Sequence, residues 1–227
     1  MNIASIAWVT DKKYGFGKES RPHGGLNGLN AVLVRSGLLK YPVKNYGRFD
    51  AVSKLTVCAA ALAAAQAKIA YAPGAAHDIG LVAVSRKGCL DANAAYFKDY
   101  FSSGRKLARG NLFIYTLPTS PLAEAAIYLG FRGPLFYLEF CDQPVRSLLE
   151  HAAAALSDAG LPYMLAVVYD RDAAVCFVLR GTCAATKDQA SDFALAKIEA
   201  AQSAGELASL LGADDENKIG LSPLAEA

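Results

Sequence analysis

No run of apolar residues in this 227-residue chain approaches the roughly 20 that a membrane-spanning helix needs. The longest Ala-rich stretch, Ala59 to Ala65, runs into Gln66 and Lys68. Charge of one sign is also missing. Lys plus Arg number 23 and Asp plus Glu number 21, so the net charge of +2 gives no strong field for nucleic acid or an anionic membrane. The five cysteines, Cys58, Cys89, Cys141, Cys176 and Cys183, are odd in number and contain no C-x-x-C pair. That argues against a disulfide framework and a structural zinc site, and no metal is expected. Histidine is scarce, with only His23, His77 and His151 to serve as imidazole bases. Met1-Asn2-Ile3-Ala4-Ser5 has no basic stretch ahead of its apolar residues, so it reads as the entry to a strand and not as a secretory leader. Free thiols inside apolar runs fit a reducing cytoplasm.

What is present is a well-built globular pattern. Hydrophobic residues make up 53% of the chain and charged residues 19%, which excludes a disordered chain. Ile3 to Val9 reads as a strand. Asp11 to Gly47 is a long Gly-, Asn- and Lys-rich connection, broken by a short helix near Leu29 to Ser36. Asp50 is placed to cap an Ala-rich helix from Ala51 to about Tyr71, which Pro73 and Gly74 end. Asp78 to Val84 is a buried strand, and Asp91 caps a helix to about Phe101. Leu112 to Thr116 reads as extended. Ser120 caps Pro121 to Leu129, and Gly130 stops it.

Leu135 to Phe140 is a short apolar strand, and Pro144 opens a helix to about Ala159. Tyr163 to Tyr169 and Ala174 to Leu179 form a hairpin around Asp170-Arg171-Asp172. A last helix covers about Lys187 to Leu211, followed by a polar tail. Alternation of strands and helices predicts an α/β fold, mostly parallel with an antiparallel end. Two signals have plain explanations. Tyr14-Gly15-Phe16-Gly17 lacks the third glycine and the helix of a dinucleotide loop, and Asp170 and Asp172 sit where a hairpin turn favours Asp. No nucleotide or other cofactor is expected.

Chemistry is suggested by one stretch. Asn111-Leu112-Phe113-Ile114-Tyr115-Thr116-Leu117-Pro118-Thr119-Ser120, followed by Ala125-Ala126-Ile127-Tyr128-Leu129-Gly130-Phe131-Arg132-Gly133-Pro134, resembles the β-ketoacyl synthases. Asp78-Ile79-Gly80-Leu81-Val82 is similar to that family's preceding strand, and Arg48-Phe49-Asp50 to the entry of its first long helix. The resemblance covers about Met1 to Gly181. It implies half of a thiolase-like fold, a five-stranded mixed sheet flanked by helices. It also implies a division into a ketosynthase N-terminal-like domain, residues 1–181, and a C-terminal helix and tail, residues 182–227, packing on it.

In the family, seven residues separate this proline from the catalytic cysteine. Counted from Pro134 the place falls on Asp142, with Cys141 one residue early and Gln143 one late. A carboxylate cannot form the acyl thioester. Moving Cys141 by one residue would turn the strand's side chains to the opposite face unless a bulge intervened. Pro144 also removes one backbone donor at the helix start. His151 follows Cys141 by ten residues, roughly 15 Å along a helix, too far to activate its thiol. Only 48 residues follow Leu179, too few for the family's second half and its two histidines.

The function so implied is that of a chain-length-factor-type subunit. It would be non-catalytic by itself and would pair with a full-length β-ketoacyl synthase in fatty-acid, polyketide or polyene biosynthesis. A homodimer is the other partner arrangement, and acyl carrier protein would be engaged only indirectly. Leu117, Pro118, Thr119, Phe136 and Leu138 would then face the partner and the acyl tunnel, where bulk stops elongation by exclusion. The alternative is a condensing acyltransferase in which Cys141 takes the acyl group and a partner chain supplies base and oxyanion donors. A third reading is a homodimer holding a different ligand in the same cleft. The helix from Pro144, with His151-Ala152-Ala153-Ala154-Ala155-Leu156, needs a cover in each case, either the C-terminal helix or a second protein.

Overall fold

The computed structural model describes residues 2–16, 19–72, 74–106, 109–181 and 192–212. Seven strands form one sheet: β1 (Ile3–Thr10), β2 (Lys13–Phe16), β3 (Glu19–Pro22), β4 (Ile79–Val84), β5 (Leu135–Leu138), β6 (Tyr163–Tyr169) and β7 (Ala173–Arg180). Their order across the sheet is β3-β2-β1-β7-β6-β4-β5. β4 is parallel to both β5 and β6, while β7 is antiparallel to both β6 and β1. The five strands expected from the sequence are therefore β1 and β4 to β7. The count of seven corrects that expectation, because the connection after Asp11 folds into the β2–β3 hairpin and lengthens the sheet beyond β1. Gly15 makes this pairing fit. It lies opposite Trp8, and a Cβ there would come within 2.5 Å of the indole.

Helices cover both faces. On one face lie α1 (Leu26–Arg35), α2 (Ala51–Gln66) and α5 (Ser120–Leu129). Twelve of the sixteen residues of α2 are buried, and its alanines let it sit close to β1, β7 and α5 at once. Asp50 caps it by accepting from the Ser53 amide at 2.8 Å. The helix ends at Gln66, earlier than the sequence suggests. Lys68 adopts a left-handed conformation, and the Ile69 amide bonds back to the Ala64 carbonyl.

On the other face lie α6 (Pro144–Asp158), α7 (Asp192–Ala200) and α8 (Ala204–Gly212). Val145, Leu148, Leu149, Ala152 and Leu156 of α6 meet Ile6, Trp8, Val175, Phe177, Ile198 and Leu207 in a second core. The cover needed by α6 thus comes from the chain itself. Its outward side is polar, with Arg146 and Glu150 ion-paired at 2.9 Å.

Two further expectations are corrected. Leu112 to Thr116 is helical, not extended. α4 (Gly110–Phe113) runs into a 3-10 turn at Ile114–Thr116, after α3 (Leu90–Ser102). Short apolar runs carry no periodicity that separates the two states. The last helix is two helices, because Ser203 restarts the chain by accepting from the Glu206 amide at 3.1 Å. Residues 187–191 of that expected helix lie outside the described residues, as do Cys183 and the tail from residue 213. The two sheet edges differ. β3 is exposed along its whole length and carries the Glu19–Arg21 ion pair and Pro22, whereas β5 reads Leu-Phe-Tyr-Leu.

Candidate functional site

The connection from β4 leaves toward β5, and the connection from β5 returns across β4 to β6. In an open α/β sheet the crevice beyond the carboxyl ends of such a strand pair is where ligands bind. Here those ends are Ser85 to Cys89 after β4 and Asp170 after β6, with Glu139 to Gln143 after β5 alongside. Hydrogen bonds draw them together. Tyr137 donates to the Ser85 carbonyl at 3.0 Å, and Tyr169 donates to the Pro118 carbonyl at 2.6 Å. Burial raises the pKa of both phenols, so they stay protonated donors at neutral pH. One Asp170 oxygen accepts from the Arg86 amide at 3.3 Å, and burial pushes this carboxyl above the usual range.

Beside these ends lies a pocket of about 410 Å³. Asp50 and Val52 at the start of α2, Lys87 to Cys89, Ala92 and Ala95 of α3, Leu112, Tyr115 and Arg171 form its walls. Cys89 donates to the Thr116 carbonyl at 2.6 Å and its sulfur accepts from the Asn93 side-chain Nδ2 at 3.2 Å. Burial raises its pKa, against a smaller lowering by Asn93, so it is a thiol at neutral pH. Asp50 is likewise raised by burial, with the Ser53 contact opposing. Arg171 reaches Asp91 at 3.4 Å. The lining is mostly apolar, with Asp50, Lys87, Asp91 and Arg171 as its charged members.

Cys141, Asp142 and Gln143 are exposed, on the turn that enters α6. Cys141 has no hydrogen-bond partner among the described residues. The backbone carbonyl of Asp142 accepts from the Gln202 side chain at 2.8 Å. All three histidines are engaged elsewhere. His151 bonds the Ser147 carbonyl at 2.7 Å, and His23 bonds the Thr10 carbonyl at 3.0 Å. His77 stands edge-on to Phe131.

Leu117 is 54% exposed, and Thr119 begins α5 without a side-chain cap. Phe136 and Leu138 pack on the α6 side of the sheet and Leu135 and Tyr137 on the α2 side. β5 bonds β4 along one edge, and among the described residues no strand meets the other. The Pro118 carbonyl is tied to β6 by the Tyr169 hydroxyl. The sequence reading missed Cys89, Arg86, Tyr137 and Asp170 as members of one locale. The available signal was positional, since each stands at or near the carboxyl end of a strand.

No family model matches the chain, and no curated protein does. Solved structures do. The ishigamide ketosynthase/chain length factor superposes with a TM-score of 0.58 at 11% identity, over 83% of this chain and 64% of that one. A beta-ketoacyl synthase from Burkholderia phymatum STM815 gives 0.57 at 13%, over 88% and 69%. A structure of a ketosynthase in complex with its chain length factor from Xenorhabdus doucetiae gives 0.52 at 14%, over 79% of each chain. The chain thus spans just under two thirds of the first of these. At 11–14% identity the likeness is one of fold: the chain folds like these ketosynthase and chain-length-factor structures.

Proposed function

We propose that this chain is a non-catalytic, chain-length-factor-type subunit that pairs with an active β-ketoacyl synthase and helps bound its acyl tunnel. The observation that carries the reading is an apolar surface left open on the helices after β4, in a sheet whose β5 edge meets no further strand among the described residues. Leu90, Phe97 and Phe101 of α3, Phe113 and Leu117 are each more than half exposed, whereas soluble monomers seldom leave large apolar side chains clustered in the open. Tyr96, Phe97, Tyr100, Phe101 and Phe113 are in ring contact with one another along that surface. A strand with an open row of amides and carbonyls is a template for another chain, and an open apolar patch is a surface that a partner covers. Support also comes from the solved pair of a ketosynthase with its chain length factor, one chain of which superposes over equal shares of both chains.

The non-catalytic part rests on the turn at Cys141. Its thiol has no imidazole beside it, and the carboxylate of Asp142 cannot carry an acyl thioester. The acyl chain would arrive on a carrier protein held by the partner, with the pocket behind α3 as one stretch of the tunnel wall. Co-expression with a candidate synthase tests the pairing: a stable one-to-one complex is expected on size exclusion. A homodimer with no affinity for any synthase would replace the reading with a self-assembled ligand-binding protein. A second reading keeps Cys141 as the acyl acceptor, favoured by its exposure just ahead of a helix start. Cys141→Ser separates the two. Pathway output stays at the wild-type level if the chain is non-catalytic and falls to background if the thiol is acylated.

A further inference from the structure

We propose that the connection between α7 and α8, Ala201 to Ala204, is a strap that closes the crevice at the carboxyl ends of β4 and β6 and holds the Cys141 turn. Four hydrogen bonds place it. The Ala204 amide, the first of α8, donates to one oxygen of Asp170 at 2.9 Å, while the other oxygen takes the Arg86 amide at 3.3 Å. A single carboxylate thereby spans the gap between the ends of β4 and β6 and joins the strap to both. Two residues earlier the Gln202 side chain donates to the Asp142 carbonyl at 2.8 Å, so the strap also grips the end of β5. The Gln202 backbone amide donates to Glu206 at 2.8 Å, which fixes the strap's own shape against α8.

The strap is built to be releasable. Its buried anchors are two alanines, Ala201 and Ala204, which remove little apolar surface from water, and Gln202 between them is exposed. The firm grip of this segment lies on either side, at Ile198 of α7 and Leu207 of α8, both buried in the second core. A segment held by polar contacts between two apolar anchors opens locally without unfolding the sheet. Opening would uncover the place in this fold where ligands bind and would free the turn that bears Cys141, Asp142 and Gln143. Asp170 and Gln202 are positioning residues in this scheme. Neither acts on a substrate, and the inference is independent of whether the chain pairs with a synthase.

Asp170 has no hydrogen bond to any residue of the 139–143 turn, whereas the strap bonds both, apart from the separate tie of Tyr137 in β5 to the Ser85 carbonyl. Hydrogen exchange of the full chain reads this directly. Gln202→Ala is expected to speed exchange by tenfold or more at Ser147, whose amide bonds the Gln143 carbonyl of that turn. Asp170→Asn, which leaves one acceptor where two are needed, is expected to speed exchange at 86–88 and 204–207, and at Ser147 as well. Ala204→Pro serves as a second variant. It removes the donor to Asp170 at a helix position that tolerates proline, and is expected to give the same pattern. Exchange in β6 and β7 should not change. Unaltered exchange at Ser147 in both Asp170→Asn and Ala204→Pro would overturn the proposal, as would uniform acceleration that includes β6 and β7.

Discussion

Single residues set the chemistry of this molecule by where burial places them. Cys58 lies in α2 with no exposure, and burial pushes its thiol up to about 12, with the Tyr46 contact opposing. Its folded-state pKa stands above the unfolded one, so the stability it contributes is complete below about pH 9 and is lost as pH rises toward 12. Cys58→Ala should therefore flatten the fall in urea midpoint between pH 8 and pH 11, and a slope equal to wild type would contradict this. Native-state alkylation at pH 7.5 should label Cys141 and spare Cys58 and Cys176, as mass spectrometry would show. Gly130 is another residue with one job. It ends α5 at φ 70°, where a Cβ would come within 2.5 Å of the Ala75 carbonyl oxygen. Gly130→Ala is expected to cost about 1–3 kcal/mol for the left-handed backbone alone, read from the urea midpoint.

At the scale of elements, the paired surface is the test. Phe97→Asp together with Phe101→Asp should abolish synthase binding while moving Tm by about 2 °C or less, since neither side chain supports the core. In the parallel register of β5 with β4, the amides of Leu135 and Tyr137 point to the free side. Leu135→Pro should thus block edge pairing and leave the bonds to β4 intact, measured as loss of the complex on size exclusion with an unchanged circular dichroism spectrum.

Much of this architecture was legible in the residues. Alternation and caps placed β1, α2, β4, α5, β5, α6 and the β6–β7 hairpin, because their apolar patterns have a period and their ends carry Asp50, Gly130 or Pro144. The β2–β3 hairpin was not legible. Its strands are short and polar, and their pairing depends on Gly15 making room for Trp8, a contact across the sheet that no local pattern announces. Asp170 shows the same limit from the other side. Its residue type fitted a hairpin turn, and its second role as a bridge depends on Arg86 and Ala204, which are distant in sequence.

The whole molecule is a three-layer body whose two faces are closed by its own helices and whose sheet has two unlike ends. One end finishes in the charged, proline-bearing β3. The other offers β5, whose outer edge meets no strand among the described residues. Pairing through β5 places the partner's sheet beyond that end only, while β3 refuses a third member. Assembly by this route must halt at two bodies, so a concentrated solution should yield a discrete particle and never a fibre.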